Sequence, residues 1–102
     1  MISQRSLLEV RDESIRQDKK WGEQNHEDGT GEEFVGIASE MKKSCDEAFA
    51  AGKGTWRHIL EEEFYEACEV ADPEKLKNEL LQVAAVALQW RQAIDRRLKN
   101  AG

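Results

Sequence analysis

Three glutamates stand where two apolar helical stripes should continue. Between Trp56 and Asp72, the residues Ile59, Glu63, Glu66 and Val70 recur at steps of four, three and four, the spacing of one helical face. After Pro73, Leu76, Glu79, Val83, Val86 and Trp90 repeat that spacing. An isolated ionised carboxylate is costly to bury unless a cation neutralises it. Glu63 with Glu66 and Glu79 with Gln82 form two i,i+3 pairs that can face each other across a seam between consecutive helices. Three carboxylates and one amide oxygen, with neither sulfur nor imidazole among them, make a set of hard ligands suited to Mg²⁺, with Mn²⁺ as the alternative. The competing reading is a charged helix packed loosely in an oligomer.

The elements that position these residues follow from caps and breaks. Ser6 with Glu9 has capping-box spacing and predicts a first helix over 6–20, thinly apolar through Leu7, Leu8, Val10 and Ile15. Gly22 to Gly31 is polar and carries the Asp28-Gly29 turn signal, so it reads as a loop. Thr30 with Glu33 repeats the capping spacing and predicts a second helix over 31–51. Its stripe is Phe34, Ile37, Ala38, Met41, Cys45, Ala48 and Phe49, and Gly52-Lys53-Gly54 ends it. Thr55 caps a third helix over 56–71. Asp72 caps a fourth over 73–98, where Pro73 at the first helical position needs no N–H. In projection at about 100° per residue, Glu63 lies within the apolar arc of the third helix, while Glu61 and Glu69 point toward solvent. His58 projects away from that arc and is expected to be exposed. The chain reads as a single all-α domain over 1–102, a four-helix bundle with short connections.

Composition sets outer limits. Hydrophobic residues at 39% can build one modest core, and charged residues at 35% give a heavily solvated exterior. The net charge of -6 repels phosphate backbones at long range, which argues against nucleic acid as a partner. A helix-turn-helix protein would need a basic recognition helix, and none is visible. No stretch approaches the roughly 20 apolar residues of a membrane span. Cys45 and Cys68 fit no metal-ligand spacing and read as small core residues in a reducing compartment, so a cytoplasmic protein is expected.

Glu62-Glu63-Phe64-Tyr65-Glu66, followed after twelve residues by Glu79-Leu80-Leu81-Gln82, resembles the paired-helix motif of the all-α nucleoside triphosphate pyrophosphohydrolases. This is the MazG-like superfamily, which includes dimeric dUTPases and the dCTP pyrophosphatases. The likeness spans roughly Trp56 to Trp90, and Gln82 stands where the family pattern closes with aspartate. The resemblance implies a MazG-like fold and Mg²⁺-dependent hydrolysis of a (deoxy)nucleoside triphosphate to the monophosphate and pyrophosphate. It further implies that Glu63, Glu66, Glu79 and Gln82 hold the metal, with Glu62 positioning or deprotonating the attacking water beside Glu63. Homodimers or homotetramers are implied as well. A thin first helix, able to bury little alone, points the same way.

The substrate end is read from Lys19, Lys20, Trp21, Gln24, Asn25 and His26. Trp21 could stack on a base while Gln24, Asn25 or His26 reads its edge, and a similar Trp-Gln-His grouping occurs in the dCTP pyrophosphatases. Lys19, Lys20, Arg91 and Arg96 are candidate phosphate contacts, against the alternative of plain surface charge at helix ends. Trp56 and Trp90 read as core or subunit interface. The rival to the enzyme is a non-catalytic helical module, oligomeric or nucleotide-binding, whose acidic seam meets a partner's bases.

Overall fold

A computed structural model describes residues 1–101. Among them are four α-helices, one short 3₁₀ turn and no strand: α1 (Gln4–Trp21), the turn Glu32–Phe34, α2 (Val35–Ala50), α3 (Trp56–Cys68) and α4 (Pro73–Ala101). The all-α expectation is met. Among the described residues, no helix is long and apolar enough to cross a membrane. The chain divides into two compact units, one of Asp28–Ala87 and one of Met1–Glu27 with the part of α4 from Leu88 onward.

In the Asp28–Ala87 unit, α2 and α3 run antiparallel. The end of α2 leads into α3 through residues 51–55, and the start of α2 is tied back to the end of α3. Two bonds make that tie. The Thr30 hydroxyl donates to the Val70 carbonyl at 2.6 Å, and the Gly31 N–H donates to the Cys68 carbonyl at 2.8 Å. Thr30 therefore does not cap α2, which starts later than its sequence signal predicts, behind the turn Glu32–Phe34. The hydroxyl finds a partner in another helix instead.

The end of α2 is a Schellman closure. Lys53 N–H reaches back to Ala48 and Gly52 N–H to Phe49, with Gly52 at φ 73°. α3 then opens on a reciprocal cap: Thr55 Oγ1 accepts from the His58 N–H, and His58 Nδ1 accepts from the Thr55 N–H. His58, expected to be a free surface residue, is half-buried and closes this cap. α3 stops at Cys68 rather than residue 71. Asp72 accepts from the Lys75 N–H at 3.0 Å and caps α4 as its sequence predicts. The buried apolar residues, Ala38, Cys45, Ala67 and Leu76, all belong to this unit, and most are small.

In the unit containing α1, the cap is Ser3 rather than Ser6. Ser3 Oγ accepts from the Ser6 N–H, so the helix begins at Gln4 and the Ser6–Glu9 capping box does not form. Ser6 is buried and donates to Gln92 Oε1 at 2.8 Å. That same oxygen accepts from the Ser3 N–H, and Gln92 Nε2 donates to the Met1 carbonyl. Gln92 thereby fastens the start of α1. The apolar side chains of α1 stay largely open, with Leu7 and Leu8 more than half exposed.

Candidate metal and nucleotide site

Glu63 and Glu66 project from α3 one turn apart, and Glu79 comes from the second turn of α4. One carboxylate oxygen from each lies within 4.8 Å of the others. Acidic clusters on helices are common without any ligand, so proximity alone decides little. Burial adds the missing weight. Glu63 Oε2 and Glu79 Oε2 are both shielded from solvent and have no hydrogen-bond partner. A shielded carboxylate oxygen without a donor leaves its desolvation uncompensated, which is the condition a cation relieves.

The titration behaviour has the same origin. Burial pushes the Glu63 carboxyl above its usual range, and the charges of Glu62 and Glu79 add to it. Glu66 is raised likewise, first by burial and then by Glu63, Glu62 and Glu79, with Lys42 opposing. These carboxylates are short of positive charge. Adjacent ligand oxygens on octahedral Mg²⁺ lie about 2.9 Å apart and opposite ones about 4.2 Å, so oxygens within 4.8 Å of one another must draw inward to share one ion. The donor set and the two unpartnered oxygens fit a hard divalent ion.

Glu66 and Glu79 line an open cavity of about 280 Å³ with Ala38, Ser39, Lys42, Glu69 and Val70. Three of these were not anticipated. Glu69, expected to face solvent, is half-buried on the cavity wall. Ser39 and Lys42 reach the cavity from α2. Their i,i+3 spacing on the face beside Ala38 is visible in the sequence, but the pairing of α2 with α3 is not. Gln82 is exposed and does not line this cavity, so the three carboxylates meet without it.

Glu62, the expected proton acceptor, turns toward α2. Its Oε1 stands 3.6 Å from Lys42 Nζ, and its side chain is only 18% exposed. It also faces Cys45, whose thiol is pushed up to about 11, chiefly by burial and then by Glu62. Cys68 is raised by burial too, so both thiols stay protonated and inert at neutral pH, as core cysteines do. Glu61 pairs with Arg57 at 2.7 Å along α3.

The expected substrate residues belong to the unit that contains α1. Lys20, Trp21 and Gln24 line an open cavity of about 330 Å³ with Glu13, Arg16 and Gln17. Lys20 Nζ sits 4.9 Å from the centre of the Trp21 ring, and Trp21 is 64% exposed. That is an accessible aromatic face already attracting a cation. His26 Nε2 lies 3.0 Å from Gln24 Oε1, which orders the pair proposed to read a base edge. Lys19 and His26 are exposed and do not line that cavity. Arg91 is engaged with Glu9 at 2.8 Å, and the bond holds the Glu9 carboxyl below its usual range. Arg91 thus has a structural role of its own beside the predicted phosphate contact.

No protein-family model, curated protein or solved structure matches this chain.

Proposed function

We propose that the chain is a Mg²⁺-dependent nucleoside triphosphate pyrophosphohydrolase of the MazG-like kind, acting in the cytoplasm as a homodimer or homotetramer. One observation carries the reading: Glu63, Glu66 and Glu79 converge within 4.8 Å while two of their oxygens are shielded and unpartnered. Glu63, Glu66 and Glu79 would hold Mg²⁺, or Mn²⁺ in its place, and the bound ion supplies charge neutralisation for the triphosphate and acidifies a water. Gln82, exposed one turn beyond Glu79, belongs in this reading to the outer edge of the site.

The chemistry asked of the protein is then positioning and one proton. A water oxygen bonds to the α-phosphorus, the bond from that phosphorus to the bridging oxygen breaks, and pyrophosphate leaves with the electron pair. Glu62 takes the water's proton, and its two-sided setting suits that role. It stands next to Glu63 in sequence and is steered by Lys42 rather than tied by a short bond. Trp21, Lys20 and Gln24 supply an exposed stacking surface for the base, with Lys19, His26 and Arg91 as further contacts to substrate.

Self-association is supported by the apolar surface the single chain leaves open. Leu7, Leu8, Phe64, Leu81 and Leu98 are each close to half exposed or more, and no large side chain is fully buried. The rival reading, a non-catalytic interaction module, is supported by this same surface. A panel of (deoxy)nucleoside triphosphates assayed for pyrophosphate release with Mg²⁺ separates the two. The enzyme releases pyrophosphate from at least one of them, and Glu63→Ala and Glu79→Ala abolish it. Release unchanged in both variants would remove the site.

A further inference from the structure

Five glutamates in or beside the cavity, Glu62, Glu63, Glu66, Glu69 and Glu79, present a difficulty for any polyanionic substrate. A triphosphate tail carries up to about four negative charges, and one divalent ion offsets only about half of them. Another cation is required from the protein at the cavity wall. Lys42 is the cation among the lining residues, and Ser39 lies one turn before it on the same helix.

Its bonds leave it free to serve. Lys42 Nζ is 3.6 Å from Glu62 Oε1 and 3.7 Å from Asp46 Oδ2, longer than the roughly 2.7–2.9 Å of a tight charge-assisted hydrogen bond. Its side chain is 61% exposed, so these contacts are weak and exchangeable. The charge itself is secure. Asp46 first, then Glu62, holds the ammonium protonated above its usual range. A compact point charge on a flexible stem suits a phosphate oxygen, which can be met from many directions.

We propose that Lys42, assisted by the Ser39 hydroxyl, is the anion-binding arm of this site, meeting the non-bridging oxygens of a triphosphate tail. The proposal rests on the reading of Glu63, Glu66 and Glu79 as the cation site. In the absence of substrate Lys42 rests against Glu62; when the tail enters, it exchanges that carboxylate for phosphate and leaves Glu62 able to accept a proton.

Inorganic tripolyphosphate tests this without knowledge of the base. It is titrated calorimetrically into the full chain with Mg²⁺, for the wild type, Lys42→Ala and Lys42→Arg. Mn²⁺ affinity is measured in parallel from the electron paramagnetic resonance signal of the free ion. Lys42→Ala is expected to weaken tripolyphosphate at least about tenfold, the scale of a lost charge-assisted bond, while Lys42→Arg stays within roughly threefold of wild type. Mn²⁺ binds Lys42→Ala as tightly as wild type, or more tightly, because a competing cation has gone. Unchanged tripolyphosphate affinity in Lys42→Ala overturns the proposal. So does a parallel loss of Mn²⁺, which marks a structural role. A wild type that binds no Mn²⁺ defeats the cation reading instead, and tripolyphosphate binding that still depends on Lys42 there would retain the arm without the metal.

Discussion

Glu63 on α3 and Glu79 on α4 bring carboxylate oxygens within 4.8 Å of each other, and each buries its Oε2 without a hydrogen-bond partner. Nothing in an ordinary hydrophobic core favours such an encounter. Two like charges raise each other's energy, and shielding removes the water that would screen them. The pair is intelligible as a cation site, and its consequences are measurable.

The first concerns stability against metal binding. Glu63→Gln keeps the shape and removes one charge, so the metal-free variant should melt higher than wild type. It should also lose Mn²⁺ affinity by at least about tenfold, since removing even an outer-shell partner of a metal commonly costs that much. Differential scanning fluorimetry in EDTA and a Mn²⁺ titration check both. A variant that melts lower and keeps its metal affinity would show that Glu63 is structural.

The second is a pH dependence. Glu63 and Glu66 titrate above the usual 4.5 in the folded chain, so the folded state holds their protons more tightly than the unfolded state does. Their contribution favours folding below the usual value and is lost as pH rises through the raised values. Glu9 and Glu13, lowered by Arg91 and Arg16, work in the opposite sense, so the effect must be isolated by difference. Urea midpoints between pH 4.5 and 7.5 should fall further in wild type than in Glu63→Gln/Glu66→Gln. Saturating Mg²⁺ should reverse the distinction, since it stabilises the wild type alone and only once these carboxylates have lost their protons.

Gln82 gives a third test. Gln82→Asp adds a negative charge one turn beyond Glu79. Over about 7 Å at a solvent-exposed position that is worth ~1 kcal/mol with a divalent ion, or roughly fivefold in affinity at low salt, less as salt is raised. Mn²⁺ titration at two ionic strengths checks it. An unchanged affinity would place Gln82 outside the field of the site.

The fourth concerns the frame that holds α3 against α2. Thr30→Val keeps the branched shape but removes the hydroxyl that donates to Val70. About 1 kcal/mol should be lost, which lowers Tm by about 4–8 °C in a chain of this size. Val70 lines the same cavity as Glu66 and Glu79, so Mn²⁺ affinity of this variant should weaken too, as coupled neighbours do.

Much of this frame is legible in the residues themselves. Helix type, the break at Asp72-Pro73 and the inward turn of Glu63 and Glu79 follow from periodicity and caps, which are local properties. The misreadings share one cause. Ser6 and Thr30 have the right spacing for caps, yet each donates its hydroxyl to a distant partner, Gln92 and Val70. A capping residue advertises a hydrogen bond without specifying who accepts it. Glu69 and Lys42 were hidden for a related reason, because a helical projection shows which side a residue occupies but not which helix lies opposite. Lys42 acquires its meaning only once α2 is laid beside α3.

The central claim is that Glu63, Glu66 and Glu79 together bind one divalent cation. Its most direct test is a Mn²⁺ titration of the metal-free chain, followed by electron paramagnetic resonance and displaced with Mg²⁺. The account predicts saturable binding of Mn²⁺ that Mg²⁺ competes away and that Glu79→Gln reduces at least about tenfold. Wild type and Glu79→Gln with the same affinity, or no saturable binding in either, would contradict it.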